Sequence, residues 1–284
     1  MKDLVPRSGP HSRRVIVDFI IDRFQEARAE TAVIGISGGL DSSLALGLTV
    51  EALGKQRVKG YFLPYGDLGN TDRVHARSAS NVFGTELEEI DITRTVDSIP
   101  FTLEGMAKGN AQARARMTVL YAKANLKNGL VIGTSNKTEF LLGYFTKYGD
   151  GGADIYPLGD LYKTQVRGLA EEVGVPRPII ERPPSAGLIA GQTDEGELRI
   201  PYPIVDQVLY GYIRDLEPEE IADSIDYTTT TVEEMDRADF EPPISTDRVK
   251  EILGTVWRMR HKRSSFAIPK LEMATVGLDL RERW

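Results

Sequence analysis

Gly35-Ile36-Ser37-Gly38-Gly39-Leu40-Asp41-Ser42-Ser43 stands between the apolar run Ala32-Val33-Ile34 and the helix-like Leu44-Ala45-Leu46-Gly47-Leu48. A buried strand that breaks into glycines and restarts as a helix points backbone N–H groups out of a positive helix end, where phosphate is held favourably. The stretch therefore reads as an anion cradle. A loop that grips β- and γ-phosphates for γ-transfer needs G-x-x-x-x-G-K-[ST], and no lysine follows the glycines here. Pyrophosphate suits this loop better. The plainer alternative is a strand-to-helix turn in which Asp41 and Ser42 merely cap the helix. Two adjacent glycines between hydroxyls, in this strand and helix context, favour the cradle.

Working outward, Val15, Ile16, Phe19, Ile20, Phe24 and Ala27 recur at helical spacing and predict an amphipathic helix laid over the sheet. Before it, Pro6, Gly9 and Pro10 mark residues 1–10 as a mobile arm. After the loop come an apolar helix to about Leu53, a strand over 58–63, a break at Pro64-Tyr65-Gly66, a helix near 72–83 and a strand over 86–92. Strands alternating with helices predict an α/β fold, a doubly wound parallel sheet flanked by helices. Ligands of such sheets sit beyond the carboxyl ends of the strands, which puts Leu63 and Pro64 beside Ser37 as adenine contacts, unless Pro64 only terminates its strand.

A long helix over 110–126 carries Arg114 and Arg116, and a strand over 129–133 follows. Thr134-Ser135-Asn136-Lys137-Thr138-Glu139 then makes a second strand-to-helix passage. Glu139, three residues after Asn136, also reads as a capping-box glutamate. Residues 143–154 mix aromatics, glycines, Lys147, Asp150 and Asp154 without a period, a costly loop of the kind that carries function. A helix from about Lys163 ends near Gly174, and four prolines between 176 and 184 enforce an extended passage. Residues 187–198 predict a mobile lid with no regular element. Short helices are expected around 204–209 and 218–225. One more, over about 247–260 with Val249, Ile252, Leu253 and Val256 inward, leads into the basic run ending His261-Lys262-Arg263. Cations in a last turn are also ordinary complements of the helix dipole.

Composition narrows the function classes. With 42 acidic against 35 basic residues the net charge of -7 argues against a broad nucleic-acid surface. No apolar run approaches the ~20 residues of a membrane helix, and the polar N-terminus lacks a signal-peptide core, so the expected setting is cytoplasmic. The absence of cysteine excludes disulfides, thiolate metal sites and cysteine nucleophiles in these 284 residues.

Taken together, the segments resemble the ammonia-dependent NAD synthetases over about Val33 to Arg263. The matching motifs are GISGGLDSS at 35–43, NAQARARM at 110–117, GTSNKTE at 133–139, GYFTKYGDGGAD at 143–154, PLGDLYKTQV at 157–166, PPSAGLIAGQTDEGEL at 183–198 and HKR at 261–263. The SGGxDS loop alone marks only the ATP pyrophosphatases, with their adenine nucleotide alpha-hydrolase-like fold. It leaves GMP synthetase and argininosuccinate synthetase open, whereas FTKYGDGG singles out this family. Relatives that use catalytic cysteines or cysteine-bound zinc fit poorly. So does a glutaminase domain built on a cysteine nucleophile, so ammonia is the expected nitrogen donor.

The resemblance implies one NAD synthetase domain over 1–284 and two chemical steps. The nicotinate carboxylate of deamido-NAD attacks the ATP α-phosphate, and ammonia then displaces AMP from the NAD-adenylate. By family position, Asp41 and Glu139 hold Mg2+. Gly35, Ile36, Ser37, Gly38, Gly39, Leu40, Asp41 and Ser42 cradle ATP, which Thr134, Lys163 and Ser185 also contact. Arg114, Lys147, Asp154, His261 and Lys262 contact deamido-NAD. A homodimer is implied as well, with no nucleic-acid or membrane partner. Ser185 stands where relatives carry threonine, and both supply a hydroxyl. The residues suit these roles: two carboxylates at strand ends are hard oxygen ligands for a hydrated magnesium, and Lys163 is a point charge for phosphate. A carboxylate is also expected to take a proton from ammonium, with Asp154, Asp194 and Glu195 as candidates. A non-catalytic adenine-nucleotide sensor would leave Lys147, Asp154 and residues 187–198 unexplained. A tRNA-modifying ligase would need a broad basic face.

Overall fold

The computed structural model describes residues 2–9, 11–66, 70–184 and 194–263. Four short strands, β1 (Thr31–Gly35), β2 (Val58–Phe62), β3 (Glu86–Glu89) and β4 (Gly129–Ile132), form one sheet in the order β3-β2-β1-β4. Every pairing is parallel, with Ile34 opposite Gly60 on one side and Ile132 on the other. The chain first winds outward from β1 to β3 and then returns to the far side of β1. The strand order therefore reverses between β1 and β4, where ligands of open α/β sheets bind.

The helices of this half are α1 (Ser12–Glu26), α2 (Leu40–Leu53), α3 (Asn70–Phe83), α4 (Thr93–Asp97), α5 (Gly105–Asn125) and α6 (Lys137–Leu142). Then follow α7 (Lys163–Val173), α8 (Arg177–Ile180), α9 (Asp194–Leu198), α10 (Tyr202–Ile213), α11 (Pro218–Ala222), α12 (Val232–Ala238), α13 (Thr246–Arg258) and α14 (Arg260–Arg263). On one face of the sheet, α1 presents Ile16, Ile20 and Phe24 at four-residue spacing to Leu44 and Leu48 of α2 and Ile34 of β1. On the other face, α5 packs Ala115, Met117 and Leu120 against Val33, Tyr61 and Val131. The doubly wound arrangement is as expected.

A third apolar cluster joins α10, α13 and the start of α7 through Val208, Ile252 and Tyr162. Leu4, from the segment read as an arm, lies in this cluster at 1% exposure, and Lys2 N donates to Ser224 Oγ at 3.3 Å.

Some boundaries differ from expectation. The third strand stops at Glu89 rather than 92, although Ile90 N and Ile92 N still donate to Phe62 O and Pro64 O at 3.0 and 2.9 Å. Helix α5 begins at Gly105, five residues before the apolar pattern shows it, because its first turn is solvated and carries no core residue. Within the stretch expected to lack regular structure, residues 194–198 form α9, with Asp194 and Glu195 buried, while 187–193 lie outside the described residues. Among the described residues, no helix is long and apolar enough to cross a membrane.

Candidate active site

The loop after β1 is shaped by its glycines and hydroxyls. Gly38 sits at φ +84, and a Cβ there would lie 2.4 Å from the Asp72 carbonyl oxygen, so only glycine fits between the loop and the start of α3. Gly39 N donates to Ser37 Oγ at 3.2 Å, Ser42 Oγ donates to Gly39 O at 3.1 Å, and Ser43 Oγ donates to the same oxygen at 2.8 Å. These bonds fix the turn, and the first amides of α2 have no partner within the helix. Asp41 lies in the first turn of α2, but the helix has no side-chain cap. The simple capping alternative for Asp41 therefore has no bond behind it.

The loop after β4 meets this cradle across the switch point. Asn136 caps α6 and Glu139 completes a capping box, with Glu139 N donating to Asn136 Oδ1 at 3.0 Å and Asn136 N donating to Glu139 Oε2 at 3.2 Å. The capping reading of Glu139 is thus real, but it uses only one oxygen. Oε1 faces Lys163 Nζ at 3.6 Å, and the same ammonium donates to Asp41 Oδ2 at 2.5 Å. Asn136 Nδ2 donates to Asp41 Oδ1 at 2.9 Å. Three separate helices, α2, α6 and α7, therefore deliver Asp41, Glu139 and Lys163 to one point.

Electrostatics at that point are tense. Burial pushes the Glu139 carboxyl up to about 8, helped by the nearby Asp41, with Lys163 and the Asn136 N–H pulling the other way. Burial works against the Lys163 ammonium too, but Asp41 and Glu139 outweigh it, and the net shift is upward. Lys163 thus remains charged. Two hard carboxylate oxygens already converging on one cation, at the mouth of an anion cradle, are the donor set for a magnesium that keeps most of its waters and touches phosphate. Among the described residues no cluster of three or more His, Cys, Asp or Glu side chains suits a metal, so phosphate and water would complete the shell.

A second group surrounds the 143–150 loop. Arg114 Nε donates to Lys147 O at 3.2 Å, Lys147 Nζ to His261 O at 3.1 Å, and Lys262 Nζ to Gly143 O and Phe145 O at 2.8 and 2.7 Å. Tyr148, next to Lys147, takes φ +65, a conformation that non-glycine residues adopt at a cost. Four of the five residues expected to meet the dinucleotide thus form one basic rim. Asp154 stands apart from it. Its Oδ2 accepts from Val131 N at 2.7 Å and its Oδ1 from Tyr121 OH at 2.9 Å, which extends β4 at its outer edge.

Thr134 lies two residues past the end of β4, in the loop that leads to α6, and Ser185 lies outside the described residues. Sequence reading missed Asn136 as the link between Asp41 and α6. It also passed over Tyr144 and Tyr202, whose hydroxyls donate to Asp194 at 3.3 and 3.2 Å. Asn136 was legible within GTSNKTE only as a cap, because a long-range partner leaves no periodic trace.

The NAD synthase family model matches residues 13–239. The chain is 41% identical to an NH(3)-dependent NAD(+) synthetase of Methanosarcina mazei, over 90% of this chain and 96% of that one. Among solved structures it is similar to an NMN synthetase from Francisella tularensis, with a TM-score of 0.73, 32% identity, and 93% and 99% of the two chains covered. The fold is also that of an NH3-dependent NAD synthetase from Campylobacter jejuni, with a TM-score of 0.72 at 24% identity, over 95% of this chain and 100% of that one.

Proposed function

This chain belongs to the NAD synthase family, and on that premise we propose that it makes NAD from deamido-NAD, ammonia and ATP, releasing AMP and pyrophosphate. The observation that carries the reading is the junction of the 35–42 cradle with Asp41, Glu139 and Lys163 at the switch point of the sheet. In the first step an oxygen of the nicotinate carboxylate bonds to the α-phosphorus while the bond from that phosphorus to the pyrophosphate oxygen breaks. Amides of the cradle and the Lys163 ammonium hold the departing pyrophosphate, so the work is alignment and charge neutralisation, with no protein nucleophile. In the second step the ammonia nitrogen bonds to the activated carbonyl carbon, the carbon–oxygen bond to AMP breaks with its electrons going to AMP, and the nitrogen releases one proton to become the amide.

Magnesium, held by Asp41 and Glu139, would neutralise phosphate charge during the first step. Thr134 and Ser185 complete the ATP contacts, and Arg114, Lys147, His261 and Lys262 receive the dinucleotide. Asp154 contributes indirectly, by holding the Val131 N–H of β4 and the Tyr121 hydroxyl of α5 together. Of the carboxylates considered as proton acceptors, Glu195 is committed to Arg237 at 3.0 Å and to Tyr202 N at 3.2 Å. Asp194 lies close enough to Lys163 and Glu139 to raise both of their pKa values, and it is our choice to take the proton from ammonium. A homodimeric, cytoplasmic enzyme is part of the same reading, supported by the family resemblance.

The test is purified protein with magnesium, ATP, ammonium chloride and deamido-NAD, following NAD, AMP and pyrophosphate together. Equal amounts of the three products support the reading. The likeness to an NMN synthetase makes nicotinate mononucleotide the proper competing acceptor. A higher kcat/KM for the mononucleotide would replace deamido-NAD as substrate, and acceptor-independent ATP cleavage would sink both.

A further inference from the structure

Asp206 lies in α10, outside every motif assigned to the reaction, and is 0% exposed. A buried carboxylate is expensive unless donors surround it. Here they do: Thr138 Oγ1 donates to Oδ1 at 2.5 Å, and Thr164 N and Thr164 Oγ1 each donate to Oδ2 at 2.8 Å. Thr138 is the second residue of α6 and Thr164 the second of α7, so each oxygen of one carboxylate holds the start of one helix. Thr138 Oγ1 also accepts from Lys163 N at 3.0 Å, which ties the two helix starts directly. Each threonine is the chain neighbour of a site residue, Glu139 in one helix and Lys163 in the other.

We infer that Asp206 is a positioning residue: a buried staple that fixes the starts of α6 and α7 against each other, and so sets where the Glu139 carboxylate stands relative to the Lys163 ammonium. The separation it maintains matters. At 3.6 Å, Glu139 Oε1 is drawn to Lys163 without a short hydrogen bond, and it stays available to a divalent ion. A closer approach would spend that oxygen on the lysine, and a wider one would part it from Asp41. A stable core alone would not select this residue. Burial pushes the Asp206 carboxyl up to about 6 against the pull of its threonine donors, so the fold bears a cost to keep a charge there. An apolar side chain would avoid that cost but could not hold two helix starts. The inference rests on the proposed roles of Lys163 and Glu139 toward ATP and magnesium.

Asp206→Asn keeps the shape but presents an amide NH2 where an acceptor oxygen stood. With its oxygen kept toward the Thr164 N–H and hydroxyl, the NH2 faces Thr138 Oγ1, which must turn from donor to second-time acceptor because it already accepts from Lys163 N, so the hold on the start of α6 is the one weakened. Thr164→Val, which deletes one donor at constant shape, serves if the asparagine variant does not fold. For wild type and variants, the measurements are kcat, half-saturating magnesium, ATP and deamido-NAD, and the melting temperature. The expected result is a rise of about tenfold in half-saturating magnesium and ATP, as for residues that orient metal ligands, with deamido-NAD changed less than twofold. Unchanged magnesium and ATP constants in a folded variant overturn the inference. So does a proportional loss across all four kinetic constants that tracks the fall in melting temperature. Should wild type form no NAD, the functional reading fails on its own. The inference is then judged by titrating magnesium and ATP into wild type and variant calorimetrically, with the same tenfold weakening expected and equal affinity refuting it.

Discussion

Glutamine in place of Glu139 separates the two jobs of that side chain, because it keeps an acceptor for the Asn136 N–H and removes the charge. In the fold the Glu139 carboxyl is pushed from its ordinary 4.5 up to about 8, first by burial and then by Asp41. A folded value above the unfolded one means that the fold favours the protonated acid. The stabilisation is complete below about pH 4.5 and is lost as the pH rises through about 8. That span corresponds to about 5 kcal/mol at ~1.4 kcal/mol per pH unit. The side chain is 16% exposed, and allowing for solvent screening leaves about 3 kcal/mol. Glu139→Gln, which does not titrate, should therefore match wild type near pH 4.5 and exceed its stability by about 3 kcal/mol near pH 9 without magnesium. Magnesium with ATP should stabilise wild type and not the variant, and turnover should fall by about 100-fold. Urea unfolding from pH 4.5 to 9, with and without magnesium and ATP, alongside NAD formation, measures all of this. A variant as stable as wild type at every pH, with turnover intact, would show that Glu139 is a helix cap and nothing more, because glutamine completes a capping box equally well.

Gly38→Ala forces a side chain onto φ +84 and against the Asp72 carbonyl, so thermal melts should show at least 1–2 kcal/mol of lost stability and ATP titration a large loss of affinity. Arg114→Ala or Lys147→Ala should raise the deamido-NAD KM by about tenfold and leave the ATP constant within twofold, and steady-state kinetics with each substrate varied would show otherwise if the basic rim belongs to ATP. At fixed ammonium chloride, the initial rate should climb between about pH 7 and 9 as free ammonia increases, while scrubbed glutamine gives background only. Efficient use of glutamine contradicts the nitrogen source proposed. Leu4→Ala should cost about 2–4 kcal/mol in denaturant unfolding, against less than about 0.5 kcal/mol for Val15→Ala at a 63% exposed position.

Periodicity made the sheet legible. The apolar runs Ala32-Val33-Ile34 and Leu130-Val131-Ile132 and the stripe Ile16, Ile20, Phe24 are local patterns with one physical meaning each. The cradle was legible for the same reason, since adjacent glycines at a strand-to-helix turn are a local signal of close backbone approach. What sequence could not disclose was pairing at a distance. Asn136 and Asp41 are 95 positions apart, Thr138 and Asp206 are 68 apart, and neither pair leaves a spacing to read. Leu4 was hidden by its neighbours, as a single apolar residue among Pro6, Gly9 and Pro10 looks like an arm until a distant cluster receives it. Asp154 shows the converse limit. A carboxylate within a loop rich in function can be spent on holding a strand edge, and residue type alone does not distinguish the two uses.

Among the described residues no strand lies beyond β3, so its outer backbone groups face solvent at one margin of the sheet. Such a margin invites pairing by any extended segment, and proteins blunt it with charge. Glu86, Glu88 and Glu89 do so here, each reaching sideways to a base, Lys59 at 2.9 Å, Lys123 at 2.7 Å and Arg73 at 2.8 Å. The bases belong to the protein's own framework, whereas the carboxylates are what an incoming strand would meet. Two copies approaching margin to margin would set glutamate against glutamate and be turned away, which keeps crowded molecules from stitching their sheets together. A neutral segment would meet no such repulsion, and one rich in lysine or arginine would be attracted to this margin instead.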